Sequence, residues 1–218
     1  MKDTREEYYD EVARVAVTRV DVTSAAAALQ NAHLMEDLPA KYLAEGLVIA
    51  ALLGAEMSEK DETVIVQMKC SGSLGGYLVE CTSEGLLRGY TEKKTGVEGP
   101  LGKCRYQITR SVPGRILSQG LAESIDGYLA DSLQRRAKIT IDDVSGEMVE
   151  ILPDATATEY DESRLTLKKT TPLKFGCRCS PDRAVAMLSS LSSEERQGLG
   201  KSVDITCHMC GRTFTVTL

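Results

Sequence analysis

The sequence has little of the material that most acid–base enzymes use. Only two of its 218 residues are histidines, His33 and His208. Histidine is the side chain whose ordinary pKa lies nearest neutral pH, so catalysis based on histidine has few candidates here. His33 is predicted to lie at the end of a helix. The many Asp and Glu residues are most simply explained as solvated surface, and we predict that the protein is not an enzyme.

Long hydrophobic runs are also absent. The longest, residues 46–55, lies between Glu45 and Glu56 and is too short to span a bilayer. Residues 1–7 are mostly charged and are not followed by an apolar segment, so they do not resemble a signal peptide. We therefore expect a cytoplasmic protein that is not inserted in a membrane.

The sequence has no excess of positive charge. Its 26 Lys and Arg residues are outnumbered by 32 Asp and Glu residues, which gives a net charge of −6. Proteins that bind nucleic acids usually carry a basic excess, so nucleic acid is not expected to be the principal partner. A nucleotide is not expected either, because a phosphate-binding loop would need glycine at Val97 and a hydroxyl at Cys104.

Cysteine is the residue that the sequence has in quantity. The seven cysteines are Cys70, Cys81, Cys104, Cys177, Cys179, Cys207 and Cys210. Their odd number, without a signal peptide, makes a disulfide framework the weaker interpretation. The first three lie at predicted strand positions, where they are expected to be small apolar fillers. The last four form two close pairs with 27 residues (180–206) between them, a spacing typical of metal ligands.

The two pairs predict a structural zinc site. Four thiolates, from Cys177, Cys179, Cys207 and Cys210, complete a tetrahedral shell around Zn²⁺ and leave no position open for a substrate. Iron can occupy the same four sulfurs, and the spacing alone does not distinguish the two metals. His208 is an alternative ligand, but it is not expected to be needed when four thiols are available.

Charge and pattern divide the chain into three parts. Residues 1–153 are predicted to form an α+β body, residues 154–175 a polar linker, and residues 176–218 a small zinc module. The predicted strands of the body are 15–22, 63–70, 76–81, 85–91, 104–110, 137–144 and 147–152, and its predicted helices are 23–30, 41–57 and 124–135. Consecutive hairpins imply an antiparallel sheet with helices packed on it. Residues 161–218 carry a formal charge of +3 (nine basic, six acidic) and the rest of the chain −9, which favours docking of the module on the body.

The zinc module is too small to fold on a hydrophobic core alone. It has 43 residues, and Phe214 is its only aromatic residue. Zinc binding contributes about 10–16 kcal/mol to the folding of such modules, so loss of the metal is predicted to unfold it. Oxidation of the thiolates would remove the ligands of the metal. A shielded structural zinc that does not react is nevertheless the commoner case, and the residues alone favour it.

Several segments resemble the heat shock protein 33 family of redox-regulated chaperones. In the zinc module these are residues 175–180 (FGCRCS), Arg183 and residues 205–210 (ITCHMC). In the body, similar segments are residues 78–81, 87–90, 101–103, 108–109 and 128–134. The resemblance covers most of the chain.

The resemblance implies an ATP-independent holdase that binds unfolding client proteins in the cytosol. It implies low activity in the reduced, zinc-loaded state. Oxidation would then form the disulfides Cys177–Cys179 and Cys207–Cys210, release zinc, unfold the module and the linker, and expose a client-binding surface. Dimerisation of the activated form is also implied.

The linker departs from the family pattern. Family members have a longer, partly helical linker that masks the client-binding surface, whereas only residues 154–174 take its place here. A short polar segment has little apolar surface with which to cover anything. We therefore expect either that gating relies on docking of the module on the acidic body or that the reduced protein is partly active.

Two other functions are alternatives. Cys207 and Cys210 have the spacing of a thiol–disulfide oxidoreductase, but the βαβ context of such motifs is missing. A zinc ribbon that binds RNA or a protein partner is weakly favoured by the +3 charge of residues 161–218.

Overall fold

A computed structural model describes residues 3–153, 155, 160–192, 194–195 and 198–217. Residues 154 and 156–159 of the predicted linker, and Leu218 at the end of the predicted module, lie outside the described part. In chain order the strands are β1 (Thr4–Asp10), β2 (Val15–Asp21), β3 (Thr63–Cys70), β4 (Gly76–Thr82), β5 (Leu86–Thr91), β6 (Cys104–Val112), β7 (Arg115–Ala122), β8 (Arg136–Asp142), β9 (Ser145–Ile151), β10 (Thr166–Pro172), β11 (Lys174–Phe175), β12 (Ser202–Thr206) and β13 (Thr213–Thr217). The helices are α1 (Thr23–His33), α2 (Asp37–Leu53), α3 (Ile125–Gly127) and α4 (Pro181–Ser189).

The strands form two large sheets and one hairpin. The first sheet has the order β10-β1-β2-β9-β8, and the second has the order β11-β5-β4-β3-β6-β7. Neighbouring strands are antiparallel except for the short strand β11, which runs parallel to β5. Strands β12 and β13 pair with each other. The predicted α+β class with antiparallel strands and packed helices is confirmed, with two sheets in the body where the pattern indicated one.

Helix α2 forms the centre of the body. It packs against β3, β4 and β5 of the second sheet and against β2, β8 and β9 of the first. Its apolar residues lie on all sides, and a helix of this kind is stable only when it is buried. At Gly46 the ring of Tyr77 approaches so closely that a Cβ would lie 2.7 Å from its Cε2 atom. Glycine is therefore required where β4 crosses this helix.

This helix is also the longest apolar stretch among the described residues. With the turn that follows, Asp37–Glu56 covers 20 residues at a mean hydropathy of 1.4, which is enough to cross a membrane by length and composition alone. However, 67% of this window is buried inside the protein, where it packs against both sheets. Burial of this kind is typical of a core helix.

Within the body, two strands and one helix differ most from the sequence-based prediction. β1 was not predicted because its sequence, TREEYYD, is mostly charged, yet its Arg5 is buried and donates a hydrogen bond to the Ala51 carbonyl at 3.2 Å. β7 was not predicted because it is a largely exposed edge strand without regular alternation. The helix predicted over residues 124–135 is wrong in extent. In the structure this segment has the short helix α3, followed by a π-helical turn over Tyr128–Ser132.

The described part of the predicted linker is mainly strand. β10 pairs with β1 at the edge of the first sheet, and β11 pairs with Leu86 and Leu87 of β5 in the second. The chain therefore passes from one sheet to the other and delivers the first cysteine pair to the edge of β5.

Candidate metal centre

The four cysteines of the C-terminal region are carried by two short turns. Cys177 and Cys179 follow β11 directly, and Cys207 and Cys210 lie in the turn between β12 and β13. In that turn Cys207 donates a backbone hydrogen bond to the Arg212 carbonyl at 2.8 Å and accepts one from Gly211 at 2.9 Å. Gly211 has a φ of 69°, a conformation that glycine adopts without strain. The turn thus points both sulfurs to one side.

The four sulfurs have the spacing of a tetrahedral metal site. All four Sγ atoms lie within 4.8 Å of one another. The Sγ–Sγ distance is 3.8 Å between Cys177 and Cys207 and 3.4 Å between Cys179 and Cys210. A Zn–S bond of about 2.3 Å in tetrahedral geometry requires sulfurs about 3.8 Å apart. All four residues are free thiols, and the cluster therefore fits a zinc ion held by four sulfurs.

One arginine of the body contacts this cluster. Arg88 on β5 donates a hydrogen bond from Nη1 to Cys177 Sγ at 3.3 Å and from Nε to Glu80 Oε2 at 2.6 Å. Burial opposes ionisation of Cys177, but hydrogen bonds from Arg88 and the neighbouring cysteines outweigh it and lower its pKa to about 7. Burial raises the pKa of Cys179 and that of Cys210. Four thiolates so close together therefore require a bound cation to ionise at neutral pH.

The core of the module beside the cluster is small. Ser180 begins α4 by accepting a hydrogen bond from the Arg183 backbone N–H at 3.2 Å, as the sequence Ser-Pro-Asp predicts. Among the described residues, the buried apolar side chains of this core are Ala184, Leu188 and Val216, with Leu191, Leu199, Val203, Ile205 and Phe214 partly buried around them. So small a core supports the expectation that the module depends on its metal.

The module docks on the open edge of β5. Gly176 donates a backbone hydrogen bond to the Leu87 carbonyl at 3.0 Å, and Gly89 donates one to the Met209 carbonyl at 3.2 Å. Beside them, Arg178 Nη2 lies 3.8 Å from Glu80 Oε2, which is an ion pair between the module and the body. Residues 174–176 and the second cysteine turn thus occupy backbone groups of β5 that would otherwise form a free sheet edge.

The two histidines lie at this interface without joining the cluster. The ring of His208 packs against Tyr90 of β5, with ring centroids 5.9 Å apart. His33 is the last residue of α1, which confirms its predicted place at a helix end, and it is only 3% exposed. Its Nε2 lies 3.0 Å from the Gly89 carbonyl, and burial lowers its pKa. Within the described residues, the potential metal group contains the four cysteines alone.

The other three cysteines differ from one another. Cys81 is 0% exposed, and burial raises its pKa to about 11, as expected for an apolar filler. Cys70 and Cys104 are only partly buried and stand directly opposite each other on β3 and β6. The sequence pattern did not reveal this pairing, nor the contacts of Arg88 with Cys177 and of Glu80 with Arg178, because they depend on strand register and on docking.

Comparison with known proteins gives consistent matches. The family model described as Hsp33 protein matches residues 3–169 and 143–217, two pieces that overlap in the region before β11. The 33 kDa chaperonin of Lacticaseibacillus paracasei is 25% identical over 265 aligned positions, covering 91% of this chain and 90% of the relative. The 33 kDa chaperonin of Symbiobacterium thermophilum is 23% identical over 235 aligned positions, covering 79% of this chain and 80% of the relative. The crystal structure of the 33 kDa chaperonin (heat shock protein 33 homolog) of Thermotoga maritima matches with a TM-score of 0.80 at 16% identity, covering 100% of this chain and 95% of that chain.

Proposed function

The chain belongs to the Hsp33 chaperone family, and on that premise we propose that it is a redox-regulated, ATP-independent holdase. In this proposal it binds unfolding client proteins after its C-terminal cysteines are oxidised, and it performs no turnover chemistry. One observation carries the proposal. Four free thiols lie within 4.8 Å of one another in a module that is docked on the edge of strand β5 of the body.

The reduced state is the closed state. A bound Zn²⁺ would keep the sulfurs of Cys177, Cys179, Cys207 and Cys210 as thiolates and hold the two cysteine turns together. Arg88 orients Cys177 through its 3.3 Å hydrogen bond. The two cysteine turns also keep the edge of β5 paired. The second turn places the Met209 carbonyl where Gly89 donates to it, and residues 174–176, before the first pair, lie along Leu86 and Leu87.

Oxidation opens this arrangement. Thiolates react with peroxide to sulfenic acids, which neighbouring thiols convert to disulfides. By the family resemblance the pairs are Cys177–Cys179 and Cys207–Cys210. A module that has lost four thiolate ligands keeps only the small core around Leu188, so it unfolds. The edge of β5 then becomes free to pair with an extended segment of a client.

The short connection supports gating by docking. The alignment with the Lacticaseibacillus paracasei relative runs over 265 positions, whereas this chain has 218 residues, so that relative contains segments without a counterpart here. We propose a body of residues 1–153, a connection of residues 154–175 and a module of residues 176–218. In this shorter chain the module itself covers the client site. A cytoplasmic location and dimerisation after oxidation complete the proposal.

The proposal is tested by following client aggregation and zinc release together during peroxide treatment. Aggregation of a thermally unfolding client should be suppressed from the moment at which a chelating dye detects zinc. The variant Cys177→Ser/Cys207→Ser removes two ligands and should suppress aggregation without peroxide, whereas Cys81→Ser, which leaves the cluster intact, should behave as the parent chain. Equal activity of the reduced parent and the double variant would contradict gating by the module.

The same samples separate the alternatives. Sustained reduction of insulin would indicate a thiol–disulfide oxidoreductase, although Cys207 and Cys210 join two antiparallel strands and not the strand and helix of a βαβ unit. A salt-dependent shift of RNA would indicate a zinc ribbon. Neither is expected.

A further inference from the structure

Two cysteines of the body face each other across the second sheet. Cys70, the last residue of β3, is the register partner of Cys104, the first residue of β6. The next pair along the two strands is Ser71 and Lys103, and this pair is hydrogen-bonded, because the Ser71 N–H donates to the Lys103 carbonyl at 3.0 Å. Hydrogen-bonded and non-hydrogen-bonded pairs alternate along antiparallel strands. Cys70 and Cys104 are therefore a non-hydrogen-bonded pair, for which Cα atoms are about 4.5 Å apart. This spacing lies within the range of about 4.4–6.8 Å found in disulfides.

The backbone around the pair is held firmly. Gly72 donates a hydrogen bond to the Leu101 carbonyl at 2.8 Å, and Lys103 donates one to the Ser71 hydroxyl at 3.0 Å. These bonds join the loop after β3 to the loop before β6. A disulfide at this place consequently needs side-chain rotation and no movement of the strands.

Both sulfurs are free and partly exposed. Cys70 Sγ lies 4.0 Å from the Gly72 carbonyl and Cys104 Sγ lies 3.6 Å from the Gly102 carbonyl, each within its own loop. Their side chains are reached by solvent, whereas Cys81 is 0% exposed. A small oxidant can reach this pair, and the buried Cys81 offers a control within the same sheet.

We propose that Cys70 and Cys104 form a second, reversible redox site that is independent of the zinc cluster. The thiolate of one cysteine attacks hydrogen peroxide, so that an S–O bond forms, the O–O bond breaks and hydroxide leaves. The thiol of the other cysteine then attacks the sulfenic acid, so that the S–S bond forms and water leaves. The two sulfurs lose two electrons, and peroxide is reduced to water.

The disulfide would act as a brace for the body. It closes the chain between residues 70 and 104 and ties β3 to β6 on the side of the sheet that carries the core. Constraining a loop of the unfolded chain stabilises the folded state. The body would thus gain stability under the same oxidant that opens the module.

Peptide mapping of the full-length, zinc-loaded chain tests the site. After peroxide treatment and alkylation, cleavage after Lys, Arg and Glu yields residues 70–80, 81–84 and 104–105, which separates Cys70 from Cys81. We expect a product that contains residues 70–80 and 104–105, lighter than their sum by two hydrogen atoms and lost on treatment with dithiothreitol. It should be absent in Cys70→Ser and present in Cys81→Ser. Alkylated Cys70 and Cys104 after full oxidation of the zinc cluster would overturn the proposal.

A stability measurement tests the brace. The urea midpoint of the body is compared for the parent chain and Cys70→Ser, each reduced and each peroxide-treated. The midpoint of the parent should exceed that of the variant by a larger margin after oxidation than before it. An equal margin in both states would show that the link does not stabilise the body.

Discussion

At the scale of single residues, side chains of the body decide how firmly the edge of β5 is held. Arg88 contacts Glu80 within the sheet and Cys177 in the module. It is therefore a positioning residue whose partners lie on both sides of the docking interface. The cysteine spacing was enough to predict the cluster, but no sequence pattern connects Arg88 to Cys177, which lies 89 positions away.

Replacement of Arg88 should make the switch more sensitive. Arg88→Met removes the hydrogen bond to Cys177 and leaves the buried Glu80 with the longer contact to Arg178, which should weaken docking by about 1–3 kcal/mol. Client protection should then appear at lower peroxide concentration, measured as the midpoint of an aggregation assay. Arg105→Met changes an exposed arginine of β6 and should leave the midpoint unchanged. Equal midpoints for both variants would remove Arg88 from the account.

A second residue supports the body without touching the module. Glu62 is 0% exposed and accepts hydrogen bonds from the backbone N–H groups of Ser58 and Glu59, both at 3.0 Å, and from Arg110 Nε at 2.7 Å. Burial opposes its ionisation, but these bonds outweigh burial and hold the pKa of Glu62 below its ordinary value of 4.5. Its contribution to stability is therefore present above that value and lost as the pH falls through the lower, folded-state pKa.

Glu62→Gln should accordingly destabilise the protein in a pH-dependent manner. At pH 7 we expect a loss of about 1–3 kcal/mol in urea unfolding, because the charged acceptor of three hydrogen bonds is lost. The difference from the parent chain should shrink in acid, as the pH falls from 7 through the folded-state pKa of Glu62, because the parent carboxylate then becomes protonated as well. Glu84→Gln, at an exposed turn, should have little effect. A difference that is the same at neutral pH and in acid would contradict the assigned charge state of Glu62.

At the scale of elements, the periodicity of apolar residues predicted the strands whose side chains are buried in regular alternation, and it missed the strands whose side chains are mostly charged or exposed. Strand β3 matches the predicted residues 63–70, because apolar side chains alternate along it. β1 was missed because its burial involves the charged Arg5, whose guanidinium donates to Glu7 of β1 and also to Ala51 of α2 and Thr171 of β10. β10 lay in a segment predicted as linker, because most of its side chains are exposed and its pairing with β1 spans most of the chain.

The edge of β5 provides a prediction at this scale. If clients add to this edge, addition of an unfolded client to the oxidised protein should restore amide protection at Leu87 and Gly89. Strand β7 forms the opposite edge of the same sheet and supplies the internal control, because its outer edge is open in the docked structure. Hydrogen exchange resolved at single amides is the measurement. Protection that rises at β7 and not at β5 would place the client elsewhere.

At the scale of the whole molecule, the body and the module have cores of very different size. The large core around α2 brings together residues from both sheets. Among the described residues, the core of the module has three buried apolar side chains beside four thiols. Such an imbalance allows one part to unfold while the other remains folded. The cysteine spacing and the composition of the module predict this division, which stays a prediction, whereas the place of docking could be read only from the fold.

The most direct measurement of the central claim is hydrogen exchange of the reduced, zinc-loaded protein before and after removal of zinc with a chelator. Amides of the described residues of the module (176–192, 194–195 and 198–217) should lose their protection, and Gly89 on β5 should lose it with them, while α2 stays protected. Protection that persists across the module after the metal has gone would contradict the claim, because a module that folds without its metal cannot serve as the switch.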